Sequence, residues 1–76
     1  MNNYFKEYKK LDAEYKKIRA QIQKNDILYF DLLDAGRYNE ADELDAATKN
    51  LINEEGRINT RLIYLKGVLV YGPDAI

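Results

Sequence analysis

Apolar positions along this chain recur at alternating steps of four and three. From the N-terminus they are Tyr4, Tyr8, Leu11, Tyr15, Ile18, Ile22, Tyr29 and Leu32, with Asn25 as the polar member of the series. The second half repeats the rhythm through Ala41, Leu44, Leu51, Ile58, Leu62, Leu65 and Leu69, with Thr48 and Glu55 at the polar positions. A spacing that averages about 3.5 residues is a heptad seam, which keeps one stripe of an α-helix facing a neighbouring helix. No stretch of useful length alternates with period two, so strands are not expected. The segment from Glu7 to Ala20 is nearly one heptad written twice. Its Tyr8, Leu11, Tyr15 and Ile18 fall on the seam, and its lysine pairs fall off it.

Punctuation in the middle separates the two series. Asp34-Ala35-Gly36 reads as a helix end, with glycine available for the left-handed residue that closes it. Asn39 is placed to cap the next helix, with Glu40 in its favourable first turn. The pattern predicts helices over roughly 3–34 and 39–71, a turn at 35–38 and a short tail at 72–76. So short a link forces the helices to lie side by side and antiparallel. The expected fold is a single all-α domain, an antiparallel, coiled-coil-like helical hairpin. At about 1.5 Å per residue, each helix is on the order of 50 Å long.

The two seams test each other. Level residues of an antiparallel pair have numbers with a constant sum. Setting Leu32 beside Ala41 fixes that sum at 73 and brings Tyr29 to Leu44, Ile22 to Leu51, Tyr15 to Ile58 and Tyr8 to Leu65. Asn25 then falls level with Thr48, which predicts a buried polar layer that fixes register. Glu55 faces Ile18 and is out of character, but the Tyr15 phenol lies within reach of it. Glu14 and Arg61 are expected to pair on the flank.

The chain carries more apolar surface than one seam uses. Ile27, Phe30, Leu33, Tyr38 and Ile52 gather near the turn, and Phe5, Val68 and Tyr71 at the open end, so these are the candidate apolar partner-binding residues. A helix that is apolar on more than one side needs a second neighbour. The tail from Gly72 to Ile76 folding back as a lid is the local alternative. Association is the stronger expectation, because a chain of 76 residues has a marginal core and this one has no Cys for disulfides. With neither Cys nor His, the usual zinc, haem and iron–sulfur ligand sets are missing, and no cofactor is expected.

Charge sharpens this expectation. Residues 1–25 sum to +4, residues 26–55 to -7 and residues 56–76 to +2, within a formal net charge of -1. In a hairpin the first and last segments share the open end, so the rod has a basic pole and an acidic turn. Asp31, Asp34, Glu40, Asp42, Glu43 and Asp45 make up that turn and are candidates for docking a partner. Asp31 and Asp34 stand near a helix C-terminus, where the helix dipole disfavours them. Two hairpins packed head to tail would set each acidic turn beside the other's basic end, as a two-fold four-helix bundle.

Lys9, Lys10, Lys16, Lys17 and Lys24 form a candidate basic face on the first helix. Nucleic-acid binding is nonetheless disfavoured, because Tyr8 and Tyr15 belong to the seam and cannot share that face for stacking on bases. The residue types most used in catalysis are scarce, so an enzyme is not expected. No apolar run is long enough for a bilayer and no signal-peptide pattern is visible, so a cytoplasmic protein is expected. The function these features suggest is a non-catalytic protein–protein interaction module, an adaptor or inhibitor. The alternative is a structural subunit of a larger assembly.

Overall fold

A computed structural model of the chain describes residues 3–72. Helix α1 spans Asn3–Asp34 and helix α2 spans Tyr38–Tyr71. They pack along their whole length as a hairpin measuring 54 × 18 × 13 Å. All-α architecture and antiparallel pairing thus follow the heptad pattern.

The turn is a Schellman closure. The Gly36 N–H donates to the Leu33 carbonyl at 3.0 Å and the Arg37 N–H to the Leu32 carbonyl at 2.9 Å. Both bonds satisfy carbonyls that the end of α1 leaves without a helical partner. Gly36 takes φ 74°, a conformation that a side chain resists. Only Ala35, Gly36 and Arg37 stand between the two helices, and α2 starts at Tyr38. Asn39 is already inside the first turn and does not cap. Arg37 occupies the cap position without a side-chain cap, and its Nε instead donates to Glu40 at 2.9 Å.

Burial follows the seam. Ile22, Leu32, Ala41, Ile58, Leu62 and Leu65 form the core together with the polar pair Asn25 and Thr48. The remaining seam residues are half-buried, except Tyr4 at the end of α1, which is exposed. Leu65 is the largest side chain that is fully buried.

Val68 departs from the expectation of an exposed open end, since only 4% of its surface is accessible. It lies three residues beyond Leu65, so both side chains share one face of α2. At this end the seam runs through the Leu65–Val68 pair and leaves Leu69 half-buried. Of the tail proposed as a lid, residues 73–76 lie outside the described residues.

Candidate functional site

Polar chemistry at the seam is concentrated in two places. In the first, Asn25 Nδ2 donates to Thr48 Oγ1 at 3.0 Å, Gln21 Nε2 donates to Asn25 Oδ1 at 2.8 Å, and Thr48 Oγ1 donates to the Leu44 carbonyl at 2.8 Å. No buried side-chain polar atom among the described residues lacks a partner. The layer therefore fixes the level of the two helices without leaving a stranded donor.

The second place is Glu55. The Tyr15 hydroxyl donates to its Oε1 at 3.4 Å and Arg19 Nη1 donates to the same oxygen at 3.2 Å. The phenol contact follows the heptad reading. Arg19 is the addition, and it explains how a carboxylate is held at a seam position: the charge is paired at the edge of the seam instead of being buried alone.

On one flank Arg61 pairs with Glu7 instead of Glu14. Its Nε donates to Glu7 Oε2 at 2.7 Å and its Nη2 to Oε1 at 3.0 Å, a bidentate pair. The Arg61 guanidinium also stacks over the Tyr64 ring at 5.0 Å. Tyr64 is one turn nearer the open end, so the stacking carries the guanidinium toward Glu7. Hydrogen bonding from Arg61 holds the Glu7 carboxyl below its ordinary pKa, and the same bonds raise the Arg61 value.

The acidic turn is exposed except for the half-buried Asp45. Glu40 is paired with Arg37 at 2.7 Å and Asp45 with Lys49 at 3.3 Å. Asp31, Asp34, Asp42 and Glu43 have no ion pair among the described residues. The last turn of α1 contains no basic residue to offset Asp31 and Asp34. Their charge therefore stands against the helix dipole and points outward. No group of three or more potential ligands able to hold a metal ion occurs among the described residues.

Apolar candidates surround that turn. Ile27, Phe30, Tyr38 and Ile52 are exposed, Phe30 at 64%, while Leu33 is half-buried. Phe30 meets the Tyr29 ring edge-on at 5.5 Å. At the open end Phe5 and Tyr71 are exposed. Ile63 and Val70, which belong with the surplus apolar residues of the open end, are exposed at 65% and 62% and share an open groove with Lys66, Gly67 and Tyr71. Their signal in the sequence is a second heptad stripe, one side step from the seam.

The basic candidates do not form one surface. Lys9, Lys10, Lys16, Lys17 and Lys24 are all exposed. Lys9 lies over the Phe5 ring at 5.5 Å and Lys16 pairs with Asp12 at 3.0 Å. Lys10, Lys17 and Lys24 form a separate stripe at heptad spacing. Tyr8 and Tyr15 are half-buried.

Neither described helix is long and apolar enough to cross a membrane. Set against known proteins, the chain matches no family model, no curated protein and no solved structure.

Proposed function

We propose that this hairpin is a non-catalytic protein-binding module, an adaptor or inhibitor acting in the cytoplasm. Its acidic turn and the apolar residues beside it are the surface offered to a basic partner, and two copies associate head to tail. The carrying observation is the set of carboxylates Asp31, Asp34, Asp42 and Glu43, without an ion pair among the described residues, beside exposed Ile27 and Tyr38 at one end of a 54 Å rod. Charge without an internal partner supplies steering and specificity, and apolar side chains supply the desolvated contact.

The test compares the full chain with the variant Asp31→Asn/Asp34→Asn/Glu43→Gln, each immobilised and exposed to lysate. The reading requires that at least one protein bind the wild type in stoichiometric amount and bind the variant about tenfold more weakly. Equal capture by both forms would remove the turn as the binding surface.

A further inference from the structure

The two broad sides of the hairpin differ. One side carries three open grooves. Asp26, Phe30 and Asp45 line the first, Asp12, Asn59, Ile63 and Lys66 the second, and Ile63, Lys66 and Val70 the third. Heptad spacing adds Phe5, Lys9, Ile52 and Gly56 to this side. Phe5, Phe30, Ile52, Ile63 and Val70 are all exposed there. The other side carries one groove, lined by Leu28, Arg37, Glu40 and Glu43, and the Glu7–Arg61 and Arg37–Glu40 pairs; its exposed large apolar residues are Leu28, Tyr64 and, at heptad spacing from Tyr64, Tyr71.

We propose that the first side is a self-complementary interface, and that its occupant is a second copy of this chain lying antiparallel across it. The proposal deepens the reading of the hairpin as a protein-binding module and rests on it. A two-fold axis across the middle of the side sets α1 against the partner's α1 and α2 against the partner's α2.

Register follows from charge. If facing numbers in α1 sum to 35, Lys9 meets the partner's Asp26 and Phe5 meets the partner's Phe30. If those in α2 sum to 111, Asp45 meets the partner's Lys66, and Gly56 lies beside the axis. The two sums are tied together. Residues level within one hairpin sum to 73, so a rigid pair requires the two interface sums to total 146, and they do. One placement therefore satisfies both helices. It places opposite charges opposite each other at four points, two of them at Asp45, which also pairs with Lys49 in its own chain at 3.3 Å, and lays ring against ring at each end. Lys16 and the partner's Arg19 meet near the axis, but each is already neutralised in its own chain, by Asp12 at 3.0 Å and Glu55 at 3.2 Å.

Gly56 fits this place. A Cβ there would meet nothing within 4 Å, so the hairpin itself does not require glycine. Glycine in a helix interior costs roughly 0.5–1 kcal/mol relative to alanine. Beside a two-fold axis it lets the two α2 backbones approach. The area is also sufficient: a side of 54 × 18 Å offers on the order of 1,000 Å², against about 800 Å² per partner in a stable complex.

The chain has no cysteine, so introduced thiols report cleanly. In one chain, positions 5 and 30 are about 37 Å apart along a helix and cannot bridge. On oxidation, Phe5→Cys/Phe30→Cys is expected to form a covalent dimer, and Phe5→Cys alone is not. Light scattering of the wild type should give the mass of two chains at tens of micromolar. Lys9→Glu or Asp26→Lys alone should raise the dimer dissociation constant about tenfold, and the two together should restore it to within about threefold. Rescue can arise only between chains, because the two sites are too far apart within one. A monomeric wild type, cross-linking by Phe5→Cys alone, or additive loss in the double charge variant would each overturn the proposal. Asp31, Asp34 and Glu43 lie off this side, so a dimer that persists in their triple variant while capture of a different protein is lost separates the two readings.

Discussion

Asn25 Nδ2 donates to Thr48 Oγ1 across the hairpin at 3.0 Å, while the threonine's own proton goes to the Leu44 carbonyl at 2.8 Å. The threonine is thus an acceptor for one helix and a donor within the other. Thr48→Val strands a buried amide donor on Asn25. It is expected to cost about 1–3 kcal/mol in urea unfolding, whereas Asn25→Leu/Thr48→Val costs less than the single change. A double variant weaker than Thr48→Val would show that the layer stabilises beyond avoiding an unmet donor.

Glu55 occupies a seam position that an apolar residue would fill without the Tyr15 and Arg19 contacts. Glu55→Leu leaves the half-exposed Arg19 guanidinium to water and is expected to change stability by no more than about 1 kcal/mol. Thermal unfolding by circular dichroism reads this directly. A large loss of Tm would mean that the charged network stabilises the seam more than packing would.

The Glu7–Arg61 pair predicts a pH dependence. Its hydrogen bonds depress the native Glu7 pKa below the unfolded value. Stability from the pair is therefore fully present above the ordinary glutamate range and is lost as pH falls through the depressed native value. Glu7→Gln should lower Tm slightly at neutral pH, and the gap from wild type should close in acid. A gap that widened in acid would contradict this sign. Both groups are exposed, so salt should also narrow it.

Leu65 and Ile27 bracket the range of apolar substitutions. Leu65 is fully buried and Ile27 is 66% exposed. Leu65→Ala is expected to cost about 2–5 kcal/mol, much of the stability of so small a fold. Ile27→Ala should stay within about 0.5 kcal/mol and so can probe partner capture without a folding effect. Chemical denaturation of both variants makes the comparison.

The turn gives a backbone test. Gly36 has φ 74°, so Gly36→Ala is expected to cost about 1–2 kcal/mol, and Gly36→Asn less, because asparagine tolerates the left-handed region. A Cβ at Gly36 would meet nothing within 4 Å, so equal losses would mean that the left-handed conformation is not the constraint.

Heptad steps made the fold readable. Every seam contact is a choice between two sides of a helix, and the apolar series answers it at each turn. The Asn25–Thr48 layer was legible because a polar residue in one series fell level with a polar residue in the other. The heptad pattern does not tell Glu14 from Glu7 as the partner of Arg61, because a flank contact depends on a long side chain's rotamer; here the guanidinium reaches Glu7 and lies over the Tyr64 ring. Asn39 was misread as a cap because the Schellman bonds at Gly36 and Arg37 start α2 one residue early. Val68 escaped because strict heptads point to Leu69 at the last turn. The exposed stripe through Ile63 and Val70 was written in the sequence, yet apolar content alone does not say which of several stripes meets the first partner.

Hairpin topology also orders its assembly in time. Across the seam, sequence separation is 23 at Asn25–Thr48 and 54 at Arg61–Glu7. Each contact farther from the Gly36 turn closes a longer loop, though an already zipped neighbour shortens the remaining search. Formation therefore runs from the turn outward, and melting runs back from the open end. Among the levels joined by hydrogen bonds, the Glu7–Arg61 pair is the last to form and the first to break, so its amides should exchange fastest of these levels.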